Sequence, residues 1–391
     1  MKKLFLVFVC FCLQMFAGQE PPNRKTVCLN MIVKDESPVI RRCLASVKGL
    51  IDYWVIVDTG STDGTQEVIR EFMKDVPGEL YERPWINFAH NRNEALQLAK
   101  DKADYLLIID ADEQLLFDEN FVKPSWDKDF YYVTVLDTTV SFQRVHLVNA
   151  KLNWSWVGVL HEMLVCSEAR TSDLLKGVQN SARARDGHRC QDPLKYKRDA
   201  DLLEAALKDD PNNSRYVFYL AQSYFNIQDY EASLRNYERR ALMGGWDEEV
   251  FFSHYMAGRL KQALSRPFED IVKSYKAAYL ARNIRAEPLF RLGCLYLKNQ
   301  DYVLAYPLLK MAASMPRPEK DLLFVEQEVY DYAAAFEAAN SAALLGKDEE
   351  ALKGYTKLVE CKNFPEQLRK DLTNNIVFVT TPKEKRVVAV R

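Results

Sequence analysis

The fold is decided by the stretch Tyr105-Leu106-Leu107-Ile108-Ile109-Asp110-Ala111-Asp112-Glu113. Its apolar part is continuous, which is typical of a strand buried on both faces of a parallel sheet. The run ends in two aspartates that are one residue apart. Because open parallel sheets bind ligands at the carboxyl ends of their strands, the stretch predicts a ligand site at one edge of a sheet.

The residues before this stretch alternate between apolar strands and amphipathic helices. We predict strands at 26–33, 53–58, 79–83 and 105–110, followed by two more at 130–136 and 140–148. Ser37 and Pro38 predict a helix that runs to about Leu50, and Asp63 with Gln66 resembles a capping box for the next helix. A third helix is predicted to begin near Phe88. This order predicts an α/β domain whose sheet is mostly parallel.

Beyond about residue 192 the pattern changes, and tyrosine, alanine and leucine recur at helical spacing. Tyr230 and Tyr302 occupy equivalent places in two similar segments that are 72 residues apart, close to two periods of 34–36 residues. Ser274-Tyr275 belongs to a unit between them, and a weaker copy runs through Gly346 to Tyr355. This half resembles tetratricopeptide repeats, and the alternative is an irregular helical bundle.

The composition supports a folded protein of two domains and argues against a nucleic-acid binder. The chain has 391 residues, and 48% of them are hydrophobic. Lysine and arginine total 53 against 55 aspartates and glutamates, so no basic excess is available for tracking phosphates. The eight cysteines match no zinc-binding spacing.

The amino terminus carries Lys2 and Lys3 followed by a short apolar run to Ala17. This pattern predicts a secretory signal peptide. The run is shorter than the roughly 20 residues that span a bilayer, although an uncleaved anchor is the alternative. The predicted organisation is a signal peptide or short anchor at 1–18, an α/β domain at 25–191, an all-α repeat domain at 192–375 and a tail at 376–391.

Polar residues follow three of the predicted strands. They are Lys34-Asp35-Glu36, then Asp58-Thr59-Gly60-Ser61-Thr62-Asp63-Gly64-Thr65, and then Asp110-Ala111-Asp112-Glu113. In the second segment the glycines permit a tight turn, and the carboxylate and hydroxyls can bind a base or ribose. In the third, two carboxylates can hold a hard divalent cation that neutralises a departing diphosphate. The alternative for the third segment is an ordinary surface Asp-x-Asp.

Together with Asn30-Met31-Ile32-Val33, these three segments resemble the family 2 glycosyltransferases of the GT-A fold, over roughly residues 26–165. The resemblance implies a nucleotide-diphosphate sugar as donor and a divalent metal, manganese or magnesium. It also implies that Asp35 or Glu36 and Asp58 contact the nucleoside. Asp110 would lie against the ribose and the metal, and Asp112 would hold the metal at the pyrophosphate.

Two further segments resemble a subgroup of this family that carries carboxy-terminal tetratricopeptide repeats. In Trp85-Ile86-Asn87-Phe88-Ala89-His90-Asn91-Arg92-Asn93, Arg92 would bind a phosphate, unless the segment is an ordinary amphipathic helix. In Gly158-Val159-Leu160-His161-Glu162, the resemblance implies that His161 completes the metal shell and that Glu162 is the general base. The alternative for His161 is a structural histidine.

The expected function is a metal-dependent, inverting transfer to a discrete protein, peptide or glycan acceptor. No Gln-x-x-Arg-Trp segment and no flanking membrane helices accompany the motifs, which argues against a processive synthase. The concave face of the repeats is a candidate acceptor surface. The alternative is an inactive scaffold that binds a protein partner.

The signal predicts a secretory or extracytoplasmic location, and an anchor would instead leave the enzyme on the cytoplasmic side, where nucleotide sugars are made.

Three other enzyme classes lack their motifs in this chain. A sugar nucleotidyltransferase needs a glycine-rich loop after its first strand, where this chain has Val33-Lys34-Asp35-Glu36-Ser37. A phosphatase of the haloacid dehalogenase type places its Asp-x-Asp after the first strand rather than the fourth. A dinucleotide oxidoreductase requires Gly-x-Gly-x-x-Gly, which is absent.

Overall fold

The structure, a computed structural model, describes residues 24–138, 140–184 and 186–386. The predicted signal or anchor at 1–18 lies outside the described residues. Among the helices of the described part, none combines the length and the apolar character needed to cross a membrane.

The first half of the sheet consists of four parallel strands, as predicted. They are β1 (Val27–Val33), β2 (Tyr53–Asp58), β3 (Gly78–Glu82) and β4 (Tyr105–Ile108), and they lie in the order β3-β2-β1-β4. The connecting helices are α1 (Ile40–Val47), α2 (Thr65–Phe72) and α3 (Phe88–Ala99). Strands β1, β2 and β4 are almost wholly buried, which is why their apolar runs identified them in the sequence.

The second half of the sheet is mixed and was only partly predicted. It adds β5 (Gln114–Phe117), β6 (Phe130–Leu136), β7 (Val140–Asn149) and β10 (Ser172–Ser181). Between β7 and β10 the chain forms a separate hairpin of β8 (Ser155–Val157) and β9 (Met163–Val165). The spatial order continues as β4-β7-β6-β10-β5, with β7 antiparallel to β4. The sequence did not predict β5, β8, β9 or β10. β5, β8 and β9 are short, and β10 is largely polar and partly exposed, so none of them has a long apolar run.

The predicted helix starts need two corrections. Helix α1 begins at Ile40 rather than at Ser37, because residues 36–39 form a turn in which the Glu36 carbonyl accepts hydrogen bonds from Val39 and Ile40. Asp63 does not form a capping box with Gln66. Its carboxylate accepts hydrogen bonds from the amides of Thr65 and Ser37, so it joins the turn before α2 to the turn after β1.

The second half of the chain is a row of helices. They are α4 (Lys195–Asp209), α5 (Ser214–Asn226), α6 (Tyr230–Leu242), α7 (Asp247–Ala263), α8 (Phe268–Ala281), α9 (Glu287–Lys298), α10 (Tyr302–Ser314), α11 (Ala334–Leu344), α12 (Asp348–Val359) and α13 (Glu366–Thr380). Each helix packs mainly against its neighbours in sequence, as in repeat proteins. Tyr230 and Tyr302 each begin the second helix of a pair, and the carboxylates of Asp229 and Asp301 cap those helices. The tetratricopeptide-like repeat prediction is confirmed.

The loop between α10 and α11 returns to the sheet, and we call its residues 317–326 the strap. Its last two residues form β11 (Val325–Glu326), which pairs antiparallel with Val140 and Ser141 of β7. The amide of Gln143 donates to the Leu322 carbonyl (2.8 Å). Because β4 covers β7 only at 147–149, the strap protects the start of that edge, at 140–143.

On its other side the strap is bound by the helices α7 and α9. Glu248 accepts hydrogen bonds from the amides of Leu322 and Leu323 (2.8 and 2.7 Å). The carboxylate of Glu326 lies between Arg291 (2.7 Å) and Arg259 (3.4 Å). This face of the repeats is therefore occupied by the chain itself, and an acceptor could use it only by displacing the strap.

The predicted boundary at residue 375 falls inside α13, which continues to Thr380. Val379 is buried, and the guanidinium of Arg386 donates to both carboxylate oxygens of Asp348 (3.0 and 2.9 Å). The predicted tail at 376–391 thus begins inside α13, and within it Val379 and Arg386 still contact the rest of the helical half. The apolar positions of α13 need the cover of α12, and that contact carries the helix past the predicted boundary.

We expect Phe324→Ala to lower the free energy of unfolding by about 3 kcal/mol. The Phe324 ring packs between Phe142 of β7 and Phe252 of α7, so its removal opens the contact between the two domains. Urea unfolding of the whole chain measures the change. The control is Phe117→Ala in β5, at a ring that is 38% exposed, where we expect a clearly smaller loss. Equal losses would contradict a joining role for the strap.

Candidate active site

The carboxyl ends of β1, β2 and β4 meet at one edge of the sheet, and the turns that follow β1 and β2 hold each other in place. The amide of Asp35 donates to the Ser61 hydroxyl (2.8 Å), and the Asp35 carboxylate accepts from the Thr62 amide (2.7 Å). Asp58 accepts from the amides of Gly60 and Ser61 through one oxygen. Asp35 and Asp58 therefore shape these turns.

Asp58 is fully buried, and its second carboxylate oxygen has no hydrogen-bond partner among the described residues. Gly60 has φ 104°, which lets the chain turn back over this carboxylate. The contact with a nucleoside that was predicted for Asp58 stays a prediction, because a ligand would have to reach an oxygen that now lies beneath the turn.

Asp110 lies between two guanidiniums. Arg92 of α3 donates to one carboxylate oxygen (2.8 Å), and Arg144 of β7 lies 3.6 Å from the other. Although partial burial acts to raise the pKa of Asp110, the two positive charges outweigh it and hold that pKa well below its usual range. Asp110 is therefore ionised, and it joins the end of β4 to α3 and β7.

A buried polar network lies beneath Asp110. Arg144 pairs with Glu113, and the Asn180 amide donates to the same carboxylate (2.8 Å). His146 contacts both Arg144 and Asn180 (3.2 and 2.8 Å). Burial, with the charge of Arg144, lowers the pKa of His146 to about 3, so the ring is neutral at physiological pH. Arg144, His146 and Asn180 were not predicted as part of the site. The available signal was a pair of basic residues at i and i+2 in β7, just before the apolar Leu147 and Val148.

Asp112 and Glu36 concentrate negative charge beside this network. Burial, together with the charge of Asp110, raises the pKa of Asp112. Burial, and then the carboxylates of Asp112 and Asp110, raise the pKa of Glu36 to about 7, against a hydrogen bond from the His188 amide that lowers it. No ion pair to Asp112 or Glu36 forms among the residues that the structure describes. A cation bound here would be stabilised by the same charges.

The segment between β10 and α4 runs across Asp112. A Cβ added at Gly187 would lie 2.5 Å from the Asp112 carboxylate, so only glycine permits this approach. The Cys190 thiol lies 3.9 Å from the same carboxylate. Arg42 fixes the segment from α1, because its guanidinium donates to Asp186 and to the Asp112 carbonyl.

Glu162 faces the site from the loop between β8 and β9. Its carboxylate is 7% exposed and lies 3.7 Å from the Nε of Arg92. Burial raises the pKa of Glu162, and the charge of Arg92 partly offsets that rise. One carboxylate oxygen is buried and has no hydrogen-bond partner in the described part of the chain. Such a carboxylate is poised to accept a proton.

Arg92 and His161 make contacts within the protein that the sequence did not predict. Arg92 is turned toward Asp110 and Glu162, and its guanidinium lies over the Trp156 ring, 5.0 Å from the centroid. The His161 ring is stacked on Tyr219 of the repeat domain at 3.9 Å. Within the described residues, no group of three or more His, Cys, Asp and Glu side chains is arranged to hold a metal ion. Metal ligation by His161 thus has no support from its position.

The comparison with family models decides the class of the first domain. Residues 28–143 match the model of glycosyl transferase family 2. The chain contains a family 2 glycosyltransferase domain. The matched range holds Asp35, Glu36, Asp58, Arg92, Asp110 and Asp112, whereas His161 and Glu162 lie beyond it.

Two curated relatives each match part of the chain. The prophage-derived glycosyltransferase SunS of Bacillus subtilis is 26% identical over 247 residues, which cover 57% of this chain and 56% of the relative. A tetratricopeptide-repeat-containing protein of Synechococcus elongatus is 39% identical over 93 residues, which cover 24% of this chain and 22% of the relative. The matches thus span about half or less of the length of these relatives.

Among solved structures, MamA resembles the helical half, with 17% identity and a TM-score of 0.35 over 45% of this chain and 92% of MamA. The repeat character of the second domain rests on its own helix pairs and caps.

In the glycosyltransferase domain we expect Arg144→Met to lower the free energy of unfolding by about 3–5 kcal/mol, because it leaves the buried Glu113 without its guanidinium partner. The control is Arg41→Met, whose guanidinium pairs with the exposed Glu71 and whose loss should cost less than about 1 kcal/mol. Chemical denaturation at neutral pH measures both. A variant at Arg144 as stable as the control would mean that Glu113 does not depend on this ion pair.

Proposed function

We propose that this protein transfers a sugar from a nucleotide-diphosphate donor to a discrete acceptor, with inversion at the anomeric carbon. The proposal rests on one observation: Asp110 and Asp112 follow β4, their charges act on Glu36 after β1, and no ion pair neutralises Asp112 or Glu36 among the described residues. A donor diphosphate carries negative charge and would be repelled here unless it arrived with a cation.

Asp112 and Asp110 are the residues that would hold a divalent cation in this proposal. Carboxylate oxygens are the ligands that Mg²⁺ and Mn²⁺ prefer. Burial and the charge of Asp110 raise the pKa of Asp112, and a bound cation would oppose both effects by stabilising the ionised carboxylate. When bound there, the cation supplies neutralisation of the departing diphosphate. Asp110 keeps its charge for this task because Arg92 and Arg144 hold its pKa low.

The turns after β1 and β2 would form the nucleoside end of the donor site. Asp35 is held against Ser61 and Thr62, and Glu36 lies next to it, half-buried and facing Asp112. Their position at the strand ends agrees with the general rule for ligand sites in parallel sheets. Asp58 supports the turn from below, through its hydrogen bonds to Gly60 and Ser61.

Arg92 would act by joining the donor and acceptor sides rather than by a bidentate contact with phosphate. Its guanidinium already donates to Asp110, and its Nε lies 3.7 Å from the Glu162 carboxylate. The positive charge stabilises both carboxylates in their ionised state. A single arginine would thus contact both Asp110 in the donor site and the proposed base, Glu162.

Glu162 would be the general base. Its buried oxygen without a partner can accept the proton of an acceptor hydroxyl or similar group. As that proton moves to Glu162, the acceptor atom forms a bond to the anomeric carbon, and the bond from this carbon to the diphosphate oxygen breaks. The electron pair of the broken bond leaves with the diphosphate. We propose a protein, peptide or glycan as acceptor, which would approach Glu162 from the side of β8 and β9 rather than over the strap.

We expect Asp112→Asn to abolish the metal-dependent part of nucleotide binding and to slow transfer about 100–1000-fold. Calorimetric titration of the purified protein with uridine and guanosine diphosphates, with and without manganese, measures the binding. The control is Asp75→Asn, at a carboxylate whose side chain is 70% exposed. Equal binding with and without manganese in the unaltered protein would overturn the metal assignment. No binding under any condition would overturn the transferase proposal in favour of a scaffold.

Glu162→Gln keeps the size of the side chain and removes its basicity. We expect nucleotide binding to be retained and turnover to fall about 100–10,000-fold, the usual contribution of a general base. A panel of uridine- and guanosine-diphosphate sugars, followed by release of the nucleoside diphosphate, measures turnover. Glu168→Gln, at an exposed carboxylate, is the control. Turnover within about threefold of normal would exclude Glu162 as the base.

A further inference from the structure

The loop that carries Glu162 has an unfavourable backbone. It connects β8 and β9 through residues 158–162, and it contains two residues with positive φ, Gly158 (122°) and His161 (50°). Glycine adopts this conformation readily, but a residue with a side chain does so at a cost of about 1–3 kcal/mol. The conformation of His161, the residue directly before Glu162, therefore has to be held by contacts from outside the loop.

Those contacts come from α5, the first helix of the first repeat pair. Arg215 donates two hydrogen bonds to the His161 carbonyl, from Nε (3.1 Å) and from a terminal nitrogen (2.8 Å). The Tyr219 ring stacks on the His161 ring with an angle of 12° between the planes. Because Arg215 and Tyr219 are four residues apart, they share one face of α5, and the guanidinium lies over the tyrosine ring.

Two more contacts tie the same loop to the repeat domain. The amide of Val159 donates to the Tyr216 hydroxyl (3.3 Å). Leu160 is 3% exposed and is buried in a cluster with Leu203 and Val217 of α4 and α5. The loop is thus inserted into the core of the repeat domain, although it begins and ends in the hairpin of the glycosyltransferase domain.

The other end of the hairpin is fixed by α3. Asn93 exchanges two hydrogen bonds with the backbone of Trp156, at 2.9 and 2.7 Å. Arg92, the preceding residue, faces the Glu162 carboxylate. The backbone of the hairpin that carries Glu162 is therefore held by α3 of the glycosyltransferase domain and by α5 of the repeat domain.

We propose that Arg215 and Tyr219 are positioning residues for Glu162, so that the first repeat is a functional part of the active site. The assignment rests on the proposed role of Glu162 as base. Neither side chain touches the reacting atoms. They act through the His161 backbone and ring, by holding a conformation that turns the next side chain toward Arg92.

Arg215 can be replaced without leaving a buried charge unpaired. Its guanidinium also lies 3.8 Å from Glu249, but the main partner of Glu249 is Arg240, with nitrogen–oxygen distances of 2.9 Å. This pair remains when Arg215 is removed. We therefore expect Arg215→Met to fold, and Tyr219→Phe, which keeps the stacked ring, serves as the conservative variant at the second position.

The first measurement is hydrogen–deuterium exchange of residues 157–164 in the whole protein. We expect faster exchange in Arg215→Met and Tyr219→Ala, and unchanged exchange in Tyr219→Phe. The matched control is Arg266→Met, another repeat-domain arginine, which pairs with the exposed Glu231. Unchanged exchange in Arg215→Met would overturn the proposal, whatever the turnover of that variant.

The second measurement separates kcat from KM for the donor, with the panel of uridine- and guanosine-diphosphate sugars. We expect kcat to fall about 100-fold in Arg215→Met, the effect of a small misplacement of a reacting group, while KM stays within about threefold. Tyr219→Phe should retain a near-normal kcat. A fall in kcat that Tyr219→Phe shares with Tyr219→Ala would contradict positioning by the stacked ring.

A double variant tests whether Arg215 acts through Glu162. In the Glu162→Gln background, Arg215→Met should cause little further loss, because the group that it positions is already inactive. A further 100-fold loss would overturn the proposal. Failure of the proposed function would instead appear as no nucleotide binding and no turnover in the unaltered protein, while the exchange measurement would still report on the loop.

Discussion

The charge on Asp110 and the two guanidiniums that flank it form the interaction on which the site depends. Asp110 follows β4, Arg92 belongs to α3, and Arg144 belongs to β7, so the three side chains join α3 and the end of β4 to a strand that comes later in the chain. The same two arginines reach the next carboxylates, Glu162 above and Glu113 below. A single buried row of alternating charges therefore sets the relative positions of the sheet edge, the helix and the loop. Such a row is stable only when it is complete, because each partially buried charge relies on its neighbours.

The sequence predicted the parts of the fold that local pattern determines. The strands β1, β2 and β4 are buried on both faces, so their apolar runs were visible, and the aspartates at their ends followed from the general position of sites in parallel sheets. The repeats were visible because the caps Asp229 and Asp301 recur at the same place in their helix pairs. For the same reason, the candidate site was predicted best where its residues directly follow a strand.

The remaining parts depend on contacts between distant residues, which leave little local trace. Asn180 lies in a polar strand with no apolar run, and its partner Glu113 is 67 residues away. Arg215 lies in an ordinary repeat helix, and nothing near it in the sequence points to His161. His161 was expected to be a metal ligand because the family resemblance implies one, whereas its backbone conformation and its stacking on Tyr219 depend on the second domain and could not be predicted locally.

The strap has a consequence for how the chain is made. Gln143 and its partner Glu319 are 176 residues apart, and at about 5–20 residues per second their synthesis is separated by roughly 9–35 s. During that interval the start of β7 presents unpaired amides and carbonyls to the cell, as edge strands do. The sheet can be completed only after most of the helical half has left the ribosome. The edge of the nascent glycosyltransferase domain is thus completed by a long-range pairing, and strand pairings of this kind form late and slowly.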